Sequence, residues 1–344
     1  MKMRNRLKKI IEDALKVFEE TTGFEAHLQV DHINDIKCPD GLVRIAYQNM
    51  QWHFAVEAKA RVTRATAGLE KLDLLNYEEK ALLITEYITP PIAELLKKLD
   101  IFFIDTAGNA YINEPPLYVF IKGNRPQAGL KAEPQKRLFK PGGLRIVFAL
   151  LNKPEMVNKP YRVIAQTADV ALGTVGWAFR DLKEMGFFME IGRGNRKLLN
   201  LENLFKRWVE AYPEQLRPKL FRERFEADNR NWWKEVQIED FGACWGGEVA
   251  AAKLTRYLKP EKIIIYTNEP FGKLVLKNKL RKANHGDIEI LTLFWNFDYE
   301  FANQGIAPPI LVYADLMATG NNRNIEAAGM IYEKYLAGLI RENQ

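Results

Sequence analysis

Asp169-Val170-Ala171-Leu172-Gly173-Thr174-Val175 is the stretch on which the fold turns. It follows a short helical run, Tyr161 to Ala168, and leads into a helix whose apolar residues Val175, Phe179 and Leu182 recur at three- and four-residue spacing. That helix is expected to stop at Gly186, where a left-handed residue can end it. The stretch therefore reads as a turn followed by a helix entry, with the apolar run Leu144 to Leu151 as an earlier helix. Opposite the buried stripe stand Thr174, Trp177, Arg180 and, toward one edge, Lys183. A hydroxyl, an indole and two cations facing outward suit a helix that enters a DNA major groove.

Phe187 to Ile191 and Lys197 to Leu201 are strand-like and are joined by Gly192-Arg193-Gly194-Asn195-Arg196. The glycines permit a tight reversal, and Arg193, Asn195, Arg196 and Lys197 place donors and cations where a phosphate or a minor groove could receive them. Helix, turn, helix and basic hairpin, in that order, make a winged helix over roughly Leu138 to Leu201. A helix tryptophan is often simply packed, and winged helices also serve as protein-binding modules. Cations on both the helix and the hairpin favour double-stranded DNA as the partner.

Working outward, 344 residues call for two or three domains, and 47% hydrophobic residues supply ample core, which excludes a disordered chain. The formal charge of +6 matters only where it is clustered. Four histidines and two distant cysteines, Cys38 and Cys244, show no zinc-ligand spacing, and the two cysteines read as reduced thiols without a disulfide framework. With neither a signal core nor a membrane-length apolar run, the chain reads as cytoplasmic. The expected architecture is α/β multidomain. It comprises an α/β domain over 1–123, a basic Pro/Gly linker over 124–143, the winged helix over 144–212 and a C-terminal α/β domain over 213–344. In the last block Ile263 to Tyr266, Ile288 to Leu293 and Ile310 to Tyr313 are strand candidates, and Arg217 to Trp233 is expected to be helical.

The first domain contains Pro39-Asp40 and, after a hairpin, Glu57-Ala58-Lys59. This is similar to the P-D…E-x-K pattern of restriction-endonuclease-like folds. In such a site Asp40 and Glu57 would hold Mg²⁺ and Lys59 would orient water, with Glu12 on the first helix as a further candidate. Glu57 and Lys59, two apart on a strand, share a face. E-x-K is common by chance, and Asp40 between proline and glycine also suits a turn. No cofactor is expected unless the chain is a nuclease, in which case it is Mg²⁺.

Phe54 to Lys59, Ile101 to Tyr111, the central winged helix, Trp245-Gly246-Gly247-Glu248-Val249-Ala250-Ala251 and Asp315-Leu316-Met317…Arg323…Glu326-Ala327-Ala328 resemble the AbiEi-type antitoxins of type IV toxin-antitoxin systems. The resemblance implies a bacterial repressor of its own operon, with a nucleotidyltransferase-like toxin as functional partner and no stable complex between the two. Better-known members carry the winged helix near the N-terminus, whereas here an endonuclease-like domain comes first. Paired half-sites would call for a homodimer, although no dimerisation helix stands out. In the C-terminal block, Gly246-Gly247 could open a helix that binds an anion, and Asp315, Arg323 and Glu326 could form a polar site. Helix capping and local ion pairing explain those residues equally well.

Overall fold

A computed structural model describes residues 2–31, 39–74, 80–126, 137–191 and 195–341, and the chain divides into two compact units, Met1–Glu133 and Pro134–Gln344. The sequence-derived linker spans that division. Its residues 127–136 lie outside the described residues, but 137–143 already belong to the second unit. There Leu138 and Phe139 are buried in a 3-10 turn, and a helix begins at Pro141.

In the first unit helix α1 (Lys2–Thr22) buries Ile10, Ile11, Ala14, Leu15 and Phe18, the stripe expected of an amphipathic helix. Strands β1 (Glu25–Asp31), β2 (Gly41–Tyr47) and β3 (Met50–Lys59) form an antiparallel meander. Its second hairpin turns on Gln48, at φ 54°, and Asn49, with Tyr47 paired to Met50. Helix α2 (Arg64–Leu74) crosses to β4 (Ala81–Thr85), and α3 (Pro90–Lys98) crosses to β5 (Phe102–Asp105). Those crossovers make β3, β4 and β5 parallel, and β6 (Ala110–Glu114) and β7 (Leu117–Ile121) close the sheet as an antiparallel hairpin. All seven strands lie in chain order, and α1 packs against β1, β3, β4 and β5.

The second unit opens with α4 (Pro141–Asn152), α5 (Tyr161–Thr167) and α6 (Leu172–Glu184). The hairpin β8 (Phe188–Ile191) and β9 (Asn195–Leu198) follows, then α7 (Leu201–Gln215) and α8 (Arg217–Leu220). A five-stranded sheet comes next, built from β10 (Phe221–Glu226), β11 (Ala243–Gly246), β12 (Ile263–Thr267), β13 (Arg281–Lys282) and β14 (Ile288–Thr292) in the order β11-β12-β14-β10-β13. Helices α9 (Gly247–Thr255), α10 (Gly272–Lys277), α11 (Pro309–Met317), α12 (Asn322–Ile331) and α13 (Ala337–Arg341) complete it.

Two expectations are corrected. Arg217 to Trp233 is not one helix: after the single turn of α8 the chain becomes strand β10, whose bond partners are β13 and β14. Ile310 to Tyr313 is helix, not strand. From Ile310 to Met317 every residue of α11 is buried, so it carries no exposed polar stripe to betray its period.

The winged-helix and C-terminal stretches separated in the sequence reading share one core. Phe148 of α4 stacks on Trp208 of α7 at 5.1 Å and meets Phe294 and Trp295 at 4.9 and 5.8 Å. The Trp208 indole N–H donates to the Leu144 carbonyl at 2.9 Å, so the one polar atom of the buried ring is satisfied.

Candidate nucleic-acid interface

Helices α5 and α6 both end in the same closing motif. At α6 the Phe187 N–H reaches the Leu182 carbonyl and the Gly186 N–H reaches Lys183, with Gly186 at φ 76°. At α5 the Val170 N–H reaches Ala165 and the Asp169 N–H reaches Gln166, and here the left-handed position, φ 51°, is filled by Asp169. Glycine would be less strained there; Asp169 instead offers its carboxylate to Arg145 at 2.6 Å. These two stops set the turn between the helices and throw the chain back into the hairpin.

Val175, Ala178, Phe179 and Leu182 are the buried face of α6. On the other side Arg180 is exposed and makes no hydrogen bond or ion pair among the described residues, Trp177 is half-buried, and Lys183 is exposed with Glu190 at 3.8 Å. Gly173 and Gly176 flank this side, and a Cβ at either would meet nothing within 4 Å. Thr174 sits differently from the outward hydroxyl expected: its methyl carbon lies over Gly142, 3.1 Å from where a Cβ would stand.

The hairpin alternates as period two requires. Met189, Ile191, Asn195 and Lys197 point one way and are exposed, whereas Phe188 and Leu198 are buried on the other. Arg196 belongs to that inner side. Its guanidinium lies over Tyr161 and Phe179, 4.9 and 5.6 Å from the ring centroids, and its backbone N–H donates to Asn158 Oδ1 at 2.7 Å. Arg196, half-exposed, thus fastens the hairpin to α5 and α6, a packing role that its place at a hairpin tip in the sequence did not reveal. Arg193 lies outside the described residues.

The nuclease-like residues come partly together. Glu57 and Lys59 share a face and pair at 2.9 Å, and Asp40 accepts the Ala58 N–H at 2.8 Å, so its carboxylate continues the pairing of β3 beyond the start of β2. Glu12 is exposed on α1 and makes no hydrogen bond or ion pair among the described residues. No group of three or more His, Cys, Asp or Glu side chains among the described residues is placed to hold a metal ion.

In the C-terminal block Asp315, Arg323 and Glu326 do not meet; each has partners of its own. Arg323 bonds Glu248 and Glu261, and Glu326 accepts the Tyr257 hydroxyl. Asp315 is buried, accepting the Tyr266 hydroxyl at 2.9 Å and the Tyr212 hydroxyl at 3.1 Å, with Arg217 at 3.6 Å. Burial pushes its carboxyl above the usual range, against the pull of Arg217 and the two hydroxyls. The Gly247 backbone amide also acts to lower it. The buried Asp315 carboxyl group thus stands at the Gly246-Gly247 helix entry, 3.1 Å from where a Cβ on Gly246 would be. Gly246 is required there, since a Cβ would fall 2.4 Å from the Tyr266 ring.

Sequence reading missed a polar cleft beside α6, lined by Arg162, Gln166, Asp169 and Ala171 together with Asn296 from the C-terminal block. Arg162 and Gln166, four apart on α5, were readable as one face; Asn296, more than a hundred residues away, was not.

No helix among the described residues is long and apolar enough to cross a membrane. Neither the curated proteins nor the solved structures yield a match to the chain. Residues 197–337, from the second hairpin strand to the start of the last helix, match the family described as "Transcriptional regulator, AbiEi antitoxin, Type IV TA system", so this part of the chain is similar to those antitoxin regulators.

Proposed function

We propose that α4 to β9 act as a winged helix-turn-helix and that the protein is a sequence-specific, double-stranded-DNA-binding regulator. In this reading it represses its own operon as the antitoxin of a type IV system, opposing a toxin encoded beside it. The family match over 197–337 supports the regulator and antitoxin class. The observation that carries DNA binding is the outward side of α6, where Arg180 is unpaired among the described residues, Trp177 is half-exposed and two glycines leave room for close approach. Lys197, on the exposed side of the hairpin, supplies a phosphate contact.

The first unit, in this account, is a scaffold. Its Asp40 carboxylate is engaged by backbone and its Glu57 by Lys59, and the corner lacks a third metal-binding group among the described residues.

Binding is measured with the duplex upstream of the protein's own coding sequence and with an unrelated duplex of equal length, across salt. Arg180→Ala is expected to lose about 1–3 kcal/mol on the first duplex and little on the second, as loss of a base contact requires. Lys197→Ala should weaken both equally and lower the salt slope by about 0.9, one phosphate's worth. Two variants that bind both duplexes as the parent does would end the proposal.

A further inference from the structure

We infer that the DNA interface does not end at the helices and hairpin but continues into the C-terminal block, with the cleft between α5 and the loop after β14 receiving the sugar-phosphate backbone of the same duplex. The inference rests on the DNA-binding reading and extends it to Arg162 and Asn296. The cleft is open, about 700 Å³, and runs directly into the α6 entry through Ala171. A duplex seated along α6 therefore passes its flanking strand over it.

The cleft is polar and firmly built. Arg162 and Gln166 project from one face of α5, both exposed and without a hydrogen bond or ion pair among the described residues. Asp169 also lines the cleft; its exposed carboxylate is paired with Arg145 at 2.6 Å, which offsets part of its charge toward a phosphate. The far wall is Asn296, which is exposed, while its own N–H bonds the Thr167 carbonyl at the end of α5 at 3.0 Å. Phe294 and Trp295 just before it are buried around Phe148. A residue anchored at its backbone and preceded by two buried rings is held in place, so its amide can meet a phosphate oxygen without ordering a loop first. One guanidinium and two amides stand around an open groove whose remaining lining is Ala165, Val170, Ala171 and the Arg145-paired Asp169, and they offer an anionic strand a cation and hydrogen-bond donors.

The decisive experiment reverses charge at an exposed position and reads the salt dependence of the full-length protein on its own upstream duplex. Asn296→Lys should tighten binding several-fold at low salt and steepen the salt slope by about 0.9, Asn296→Glu should weaken it, and Arg162→Ala should flatten the slope by about 0.9. Matching melting temperatures for the three variants and the parent check that the fold is unchanged. If the parent binds with Arg180-dependent preference but the Lys and Glu variants do not diverge, the cleft inference is overturned and the DNA-binding reading stands. If the parent shows no salt-dependent binding at all, both fall together.

Discussion

Glycine inside a helix is costly, roughly 1 kcal/mol relative to alanine, so a chain keeps one there only where something needs the space. At Gly143 the need is internal: a Cβ would lie 2.2 Å from the Leu138 carbonyl oxygen, and Gly143→Ala should destabilise the fold. At Gly176 no internal need exists, because its missing Cβ faces open space on the outward side of α6 beside Arg180. Gly176→Ala should therefore raise stability by about 0.5–1 kcal/mol in denaturant titrations while weakening DNA binding tenfold or more, since the added methyl stands where the groove floor must approach. Gly173→Ala, in the first turn, should act in the same sense with a smaller stability gain. Stability rising with unchanged affinity would mean that this side of α6 never enters a groove. Arg196 shows the same scale from the other side: in the sequence it is a cation at a hairpin tip, and in the fold its guanidinium also lies over Tyr161 and Phe179.

Among the elements, β10 and β14 carry an ionic ladder that gives the second unit a specific pH response. Glu289 of β14 takes Arg217 at 2.6 Å and also pairs with Arg224 of β10. Burial alone would raise the Glu289 carboxyl, but the two guanidinium groups outweigh it and hold it below its usual range. A carboxyl lowered in the folded state contributes stability above its ordinary range, and that contribution is lost as pH falls through the folded value. Asp315, raised by burial, runs the other way: its contribution is present at low pH and lost as pH rises. Glu289→Gln removes only the first effect, so its melting temperature should lie below that of the parent at neutral pH, and the gap should close on acidification. A gap independent of pH would refute this assignment. The same ladder shows why β10 was hidden in the sequence. Phe221-Arg-Glu-Arg-Phe-Glu226 is rich in charge because its polar side chains meet Glu289 and Lys282 across the sheet, and charge density alone suggested an exposed helix. By contrast the stripe of α6 and the glycine stop behind it were legible, because both are local signals that no distant residue overrides. The Asp315 cluster joins residues 103 apart and leaves no local trace.

For the whole molecule, the division of labour follows the packing, not the motif boundaries. The family match spans 197–337, yet the aromatic core beneath it is completed by Phe148 from α4. Phe148, Trp208 and Tyr212 are fully buried, and the Tyr212 hydroxyl ends on Tyr266 and Asp315 in the C-terminal sheet and helices. Cutting the chain at 212 would expose these rings, at about 1.5–3 kcal/mol for each large apolar side chain, and would leave the Tyr212 hydroxyl without its partners. Against a total stability of roughly 5–15 kcal/mol, that loss is enough to unfold the piece. The fragment 137–212, although it contains every element of the proposed winged helix, should therefore show no cooperative melt and no fixed near-ultraviolet circular dichroism. The fragment 134–344, cut where the two compact units divide, should melt cooperatively and retain the parent's affinity and salt slope on its own upstream duplex. A cooperative melt from 137–212 alone would show that the C-terminal block is an appendage, and with it the case for a shared DNA interface through Asn296 would lose its structural basis.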